Sequence, residues 1–328
     1  MDMAHNHSQA VGNKPCMSLR VDFIKSGASL SLSALFERLR TAVDYSAQLL
    51  SPRGQHCALC DRLLLSANSS SITIAASVYA SLPVQFRQSL CGPCLSGIPW
   101  LLRIKCSVCG RGIKCEDCLR RMRRYFVYNR SAVSYDDMMR GWLARYKYRG
   151  DERLSFFIAQ MLQPAFEQLT AEIAAETTIQ TRSSNRKRLN SLNVWDAVTY
   201  VPISKERARE RGFNQAEQLA SHLAKTYRLP LYSFLYRSRH TEKMSFKSRS
   251  ERLRDASTLF TPNDQEFQRF KTEKERMTPS CPIAGKTHRI LLVDDIYTTG
   301  STANACSRTL KLYFPAPLDV YVLTWARS

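Results

Sequence analysis

A chain of 328 residues, 44% hydrophobic and 23% charged, has room for roughly two domains and enough apolar content for a core, which excludes a disordered or fibrous protein. Its 48 Lys and Arg against 28 Asp and Glu, net +20, point to polyanions such as nucleic acid or pyrophosphate, or in part to solvated basic faces. No stretch reaches the roughly 20 apolar residues of a membrane span: the longest candidate, Ile72 to Val84, is broken by Ser77, Ser81 and Pro83.

The first residues, Met1 to His7, are polar and lack a basic stretch followed by an apolar run, so no secretory leader is expected there. Residues 1–54 are expected to be an N-terminal extension, partly disordered. One amphipathic helix is predicted over Ser29 to Leu50, where Leu32, Leu35, Phe36, Leu39, Val43 and Leu49 share a helical spacing. A cytoplasmic, reducing setting follows for a long chain with 11 cysteines, and it turns paired cysteines into metal ligands.

Four CxxC knuckles lie within residues 55–124: Cys57 with Cys60, Cys91 with Cys94, Cys106 with Cys109, and Cys115 with Cys118. Each knuckle presents two thiolates from one tight turn, and two knuckles complete a closed tetrahedral zinc site. Two structural zinc ions are expected, with sequential pairing favoured and an interleaved arrangement also allowed by the spacing. A redox CxxC would need a knuckle at a helix start within a βαβ unit, and none shows one. A module this small has little core, so metal binding would supply much of its folding free energy. The serine-rich stretch Ser66 to Ser71 reads as an inserted loop. Arg103, Lys105, Arg111, Lys114 and the run from Arg120 to Arg124 are interleaved with Trp100, Tyr125, Phe126 and Tyr128. That pattern suits single-stranded nucleic acid, and it equally suits a solvated ridge beside a core strand.

Tyr125 to Tyr135 alternates like a strand pair turning at Asn129-Arg130. A helix is predicted from Asp136 to Tyr148, then another over Glu152 to Glu176, interrupted near Pro164. Thr177 to Asn193 reads as a polar surface loop. Asp196 to Ile203 returns to strand, and its end opens into a loop dense in cations. There Pro202, Ile203, Ser204, Lys205, Arg207 and Arg211 could receive a pyrophosphate, and Asn214 or Gln215 could orient a sugar, acceptor or base. A helix follows from about Ala216 to Ala224. The charged, aperiodic stretch Thr261 to His288 reads as an exposed loop.

Ile290 to Val293 is a buried strand by its branched apolar run, and Asp294 and Asp295 stand at its carboxyl end. Thr298, Thr299, Gly300, Ser301 and Thr302 then lead into a helix, which is the polarity of an anion site beside an acid pair. The carboxylates would repel phosphate, so sugar hydroxyls or a metal-bound sugar are their natural partners. Asp319 to Trp325 closes the chain as a final buried strand.

Val293 to Thr302 resembles the motif with which type I phosphoribosyltransferases bind 5-phosphoribosyl-1-pyrophosphate (PRPP). Taken with the four knuckles, Lys147-Tyr148-Arg149-Gly150-Asp151, and Val201-Pro202 with Arg211-Gly212-Phe213-Asn214-Gln215, the chain is similar over about residues 55 to 326 to the ComF family. That resemblance implies an α/β fold: a parallel-sheet, Rossmann-like phosphoribosyltransferase domain (125–328) preceded by a double zinc ribbon (55–124). It also implies Mg²⁺ bound with PRPP, and a link to natural competence, to incoming single-stranded DNA and to other competence proteins. Carried onto this sequence, Asp294 and Asp295 hold the ribose hydroxyls, Thr298 to Thr302 wrap the 5-phosphate, and Pro202 to Lys205 form the pyrophosphate loop. Asp294, Asp295 and Arg211 are the expected catalytic groups, and no covalent nucleophile is needed. Residues 237–260 would form a lid. There the chain departs from the family pattern, with Met244 where a Gln is expected and Asp255 in place of an Asn.

Overall fold

In the computed structural model, residues 56–64, 74–120, 123–148, 152–180, 194–238, 259–277 and 287–328 are described. They belong to one compact unit, Gly54–Ser328. The expected N-terminal helix, the serine-rich loop, the stretch 181–193, Arg149 to Asp151, and residues 239–258 of the expected lid, with Met244 and Asp255, lie outside the described residues.

Four short helices flank the cysteine knuckles: α1 (Ala76–Ser81), α2 (Val84–Gln88), α3 (Gly92–Ser96) and α4 (Glu116–Arg120). Strand β1 (Asn129–Ser134) leads to α5 (Asp137–Tyr148) and the long α6 (Glu152–Gln180). Then come β2 (Ala197–Tyr200), α7 (Lys205–Arg211), α8 (Gln215–Tyr227), β3 (Leu235–Arg237) and β4 (Phe260–Pro262). The chain closes with α9 (Asp264–Met277), β5 (His288–Tyr297), α10 (Ser301–Tyr313) and β6 (Leu318–Arg327).

The main sheet has the order β1-β6-β5-β2 with every pair parallel, and β3 and β4 form a separate antiparallel pair. Near-continuous apolar runs in β5 and β6 are what a parallel sheet covered on both faces requires. Strand alternation sends Leu291 and Val293 into one core with α6 and α8, and Ile290 and Leu292 into the other with α10. Helix α8 buries Ala216, Leu219, Ala220, Leu223 and Ala224 at helical spacing. It starts at Asn214, whose side chain accepts from the Ala216 N–H, and stops at Arg228 in the left-handed conformation.

Four sequence expectations are corrected here. Tyr125 to Tyr135 is not a strand pair: Asn129-Arg130 does not turn but starts the single strand β1 on the edge of β6. The Asn129 amide is buried and donates to the Cys109 carbonyl at 3.0 Å, and Arg130 pairs with Glu172 at 2.6 Å, so both polar groups find tertiary partners. Helix α6 passes through Pro164 without interruption, because Met161, Leu162, Ala165 and Phe166 hold both sides of the proline in the core. Thr177 to Gln180 belongs to this helix too. Finally, the presumed loop 261–288 carries β4 and α9. Its helical signal rests on two aromatics one turn apart, Phe267 and Phe270, which pack with Phe234 and Phe314.

At the far edge of the sheet, buried Asp196 ties three elements. It accepts from Lys274 on α9 at 2.9 Å and from the Arg289 N–H at 3.0 Å, and the His288 ring stands 3.4 Å away.

Candidate functional site

The four strands are parallel, so their carboxyl ends share one edge, and the site is built there. β2 and β5 are in register from Ala197 opposite Ile290 to Tyr200 opposite Val293, and the Val201 N–H continues the ladder to the Val293 carbonyl at 3.0 Å. The two stretches singled out in the sequence, Pro202 to Lys205 and Asp294 to Thr302, therefore leave the sheet side by side. This is the crevice position expected of ligand sites in open parallel sheets.

Adjacent residues on a strand face opposite ways, and this separates the two acids. Asp295 turns toward α5 and α8, where Lys147 at the end of α5 is ion-paired with it. The neighbouring Tyr146 packs on Phe213 and donates to Gln218 at 2.8 Å, and burial followed by the nearby Asp295 carboxylate pushes its hydroxyl pKa up. Asp294 turns toward α10 and β3. Burial, and then the Asp295 charge, push its carboxyl up to about 8, while Lys147 and Arg237 act the other way. Buried Cys306 on α10 lies near enough for the Asp294 charge to add to the effect of burial, which holds the thiol protonated. Each carboxylate also accepts the N–H of the next residue, Asp294 from Asp295 at 2.9 Å and Asp295 from Ile296 at 2.7 Å, which orients both.

Beyond the acids the chain turns through Thr298 and Thr299, both exposed, to Gly300. With φ of 75° Gly300 caps α10 and brings no side chain of its own to the first turn. The Ser301 N–H donates to the Thr299 hydroxyl at 3.4 Å, and the Thr299 and Ser301 hydroxyls stand 2.9 Å apart, so hydroxyls and helix-start N–H groups gather here as a donor-rich anion cradle. Thr302, half-buried, lies in the same turn. A Cβ on Gly300 would overlap the Tyr297 hydroxyl, so only glycine fits.

On the other side, Ser204 caps α7 by accepting from the Arg207 N–H at 3.4 Å. Lys205 is exposed and Arg207 half-buried. A cleft of about 700 Å³ opens beside this loop, lined by Pro202, Ser204, Phe213, Leu235, Tyr236 and Arg237. Ile203 and Lys205 reach it as well. Arg211, Asn214 and Gln215 form the corner between α7 and α8: Arg211 donates to the Gln215 side chain at 3.0 Å, and the Asn214 amide donates to the Val201 carbonyl at 3.1 Å. These three are thus engaged in holding the corner against β2.

Two cations on this edge carried no site role in the sequence reading. Lys147 opens the motif Lys147 to Asp151, and its position gave a signal but no partner. Arg237 begins Arg237-Ser-Arg239; burial, with Arg207 close by, lowers its pKa, and Asp294 counteracts this.

The cysteines converge in two groups of four, Cys57, Cys60, Cys91 and Cys94, and Cys106, Cys109, Cys115 and Cys118, with all sulfurs of a group within 4.8 Å of one another. The pairing is sequential. A tetrahedron with Zn–S bonds of about 2.3 Å has S···S edges of roughly 3.8 Å, and Cys60 and Cys91 stand 3.6 Å apart. Donor type, number and spacing therefore fit zinc in both groups. Cys91 does cap a helix, α3, but three other thiols face it, which suits a closed metal site better than a dithiol exchange site. The first group packs into the α6 core, where Phe86 meets Phe157 at 5.6 Å. Around the second, Arg103, Lys105, Lys114, Arg120, Arg123 and Arg124 are exposed. Of the aromatics expected to interleave with them, Phe126 turns inward onto Tyr297 and Tyr128 onto Tyr321, while Trp100 and Tyr125 are half-buried. Among the described residues no helix is long and apolar enough to cross a membrane.

No protein-family model matches the chain. It is 28% identical over 232 residues to Competence protein ComFC of Bacillus subtilis, covering 68% of this chain and 78% of that protein. It is 26% identical over 226 residues to Competence protein ComFC of Streptococcus pneumoniae, covering 68% and 81%. To Competence protein F of Haemophilus influenzae it is 30% identical over 144 residues, covering 43% and 55%.

Proposed function

We propose that the chain is a ComF-family protein like the competence proteins it resembles, that it binds PRPP with Mg²⁺, and that it transfers the phosphoribosyl group to an acceptor during the handling of incoming DNA. The observation that carries this reading is the acid pair Asp294 and Asp295 set between the donor cradle Thr298 to Thr302 and the cationic loop after β2. A ligand with a 5-phosphate, a ribose diol and a pyrophosphate matches those three chemistries in that order.

In this reading the cradle takes the 5-phosphate, the acids accept hydrogen bonds from the ribose hydroxyls, and Lys205 and Arg207 face the pyrophosphate. Magnesium bound with PRPP would supply charge neutralisation of the pyrophosphate, and Asp294 and Asp295 would be the carboxylates offered to it. The C1–O bond to pyrophosphate breaks as the acceptor's lone pair forms a new bond to C1, and the pyrophosphate leaves with the bonding electrons. Cations fixed in advance stabilise that departing charge. Arg211 acts through the corner it holds with Gln215, and Asn214 keeps the loop on Val201.

The test is pyrophosphate release from PRPP and Mg²⁺ in the presence of candidate acceptors, including a competent-cell extract. Release is expected from the natural chain and not from the Asp294→Asn/Asp295→Asn variant. Equal release by both would remove the acids from the chemistry, and no release with any acceptor would favour a non-catalytic PRPP-binding role.

A second reading, a single-stranded DNA-binding factor that uses PRPP as a ligand or signal, draws on the six exposed cations around the second cysteine group. With Phe126 and Tyr128 buried, such binding would be chiefly to the phosphate backbone, and its affinity would fall steeply with salt. A salt-independent affinity would contradict it.

A further inference from the structure

We propose that Arg327 is a positioning residue that ties the second cysteine centre to the phosphate loop, so that metal at that centre and phosphate in the loop stabilise one another, while the first centre is indifferent to ligand. The inference rests on the reading above that Thr298 to Thr302 receive a phosphate.

Arg327 ends β6 in register with Tyr297, which ends β5. Its side chain is almost completely buried, at 4% exposure, where a cation needs strong partners. One guanidinium nitrogen donates to the Cys109 sulfur at 3.5 Å. The other donates to the Tyr297 carbonyl at 3.1 Å and to the Ser328 backbone oxygen, and the guanidinium carbon stands 4.9 Å from the centre of the Tyr297 ring. Four thiolates and one divalent ion leave a net charge of minus two, so the loaded centre would offer this buried cation an anionic field.

Tyr297 passes the constraint on. Its hydroxyl lies directly against Gly300, the one position of the loop with left-handed backbone, and the Phe126 ring holds it edge-on at 6.2 Å. A second connection runs parallel. The Tyr125 N–H, on the segment leaving the second centre, donates to the Asn304 side chain in the first turn of α10 at 2.9 Å. Asn129 closes the framework by donating to the Cys109 carbonyl. Among the described residues, the packing of the first centre leads instead to Phe157 on α6.

Coupling of this kind is reciprocal, so it can be read from the metal side. The natural chain, loaded with two zinc ions, is mixed with a chromophoric chelator in the presence and absence of ribose 5-phosphate, whose binding is followed separately by calorimetry. Release of one zinc equivalent is expected to slow by about five-fold or more with ligand, a coupling at the low end of the usual range, while the other is unchanged. In Arg327→Met the ligand-dependent slowing should be largely lost, with only the Tyr125–Asn304 connection remaining, although ribose 5-phosphate still binds; undiminished slowing would remove Arg327 from the connection. Arg327→Lys should recover little, because an ammonium cannot bridge sulfur and carbonyl in a plane. Bound ligand with no effect on either release rate in the natural chain overturns the coupling alone. Failure of the natural chain to bind ribose 5-phosphate or PRPP overturns the phosphate loop and the coupling with it. Should Arg327→Met not fold, the two rates of the natural chain decide the matter unaided.

Discussion

Lys147 and Asp295 form an ion pair at the carboxyl edge of the sheet, each side chain only 17% exposed, and so bring the end of α5 over the end of β5. The pair divides the two acids by role: Asp295 has a fixed cation, whereas Asp294 sits beneath the crevice with its charge poorly solvated. Lys147→Met should therefore leave Asp295 without its partner and cost about 1.5–3 kcal/mol, the usual worth of a hydrogen bond to a charged group. It should also push the Asp294 carboxyl higher still, since Lys147 is one of the cations that hold it down. Thermal unfolding and a carboxyl NMR titration check both effects.

Asp294→Asn should stabilise the protein at neutral pH. The folded carboxyl is pushed up to about 8 from an ordinary value of 3.8. Between those values the native state holds the proton more tightly than the unfolded state, so stability falls as pH rises from 4 toward 8. An amide removes that loss while still accepting the Asp295 N–H. The melting temperature of the variant should exceed that of the natural chain by a margin that widens from pH 5 to pH 8, at roughly 2–4 °C for each kcal/mol. Equal melting at all pH values would show that Asp294 is not so perturbed.

The same group sets the pH dependence of ligand binding. If the ribose diol is taken by the anionic acid pair, binding expels the Asp294 proton. PRPP affinity should then rise with pH, by at most about tenfold per unit, and level off above pH 8. Asp294→Asn should flatten that slope. Calorimetry in buffers of different ionisation enthalpy counts the proton released.

Phe270→Ala should cost about 3–5 kcal/mol, the usual loss for a fully buried phenylalanine. Phe270 is wholly buried between Tyr232, Phe234 and Phe314. An exposed loop would tolerate the change, so denaturant unfolding distinguishes the two descriptions of residues 264–277.

Metal removal should not melt a separate small module. Cys57, Cys91, Phe86 and Leu95 belong to the same core as Phe157 and Leu162 on α6. A chelator should therefore lower the main unfolding transition, and an unchanged main transition beside a lost minor one would contradict the shared core.

What was legible in the sequence was local. The strand, acid pair and small-residue loop of Ile290 to Thr302 lie consecutively, so their polarity could be read without the fold, and the knuckles announce their own chemistry. What the sequence hid depends on partners far along the chain. Lys147 reads as an ordinary basic end of an amphipathic helix until α5 is seen to cross the sheet edge. Phe267 and Phe270 are too few to mark a core helix among so many charges. Asn129-Arg130 imitates a turn because nothing local reveals Cys109 or Glu172. Phe126 and Tyr128 look available for stacking until β5 and β6 claim them.

The most direct test of the account is calorimetric titration of the zinc-loaded chain with PRPP and Mg²⁺. It should show one site per chain that is lost in Asp294→Asn/Asp295→Asn and retained, with lower affinity at pH 6 than at pH 8, in the natural sequence. Absence of association by the zinc-loaded natural chain at either pH would contradict the acid pair and its donor loop as a PRPP site.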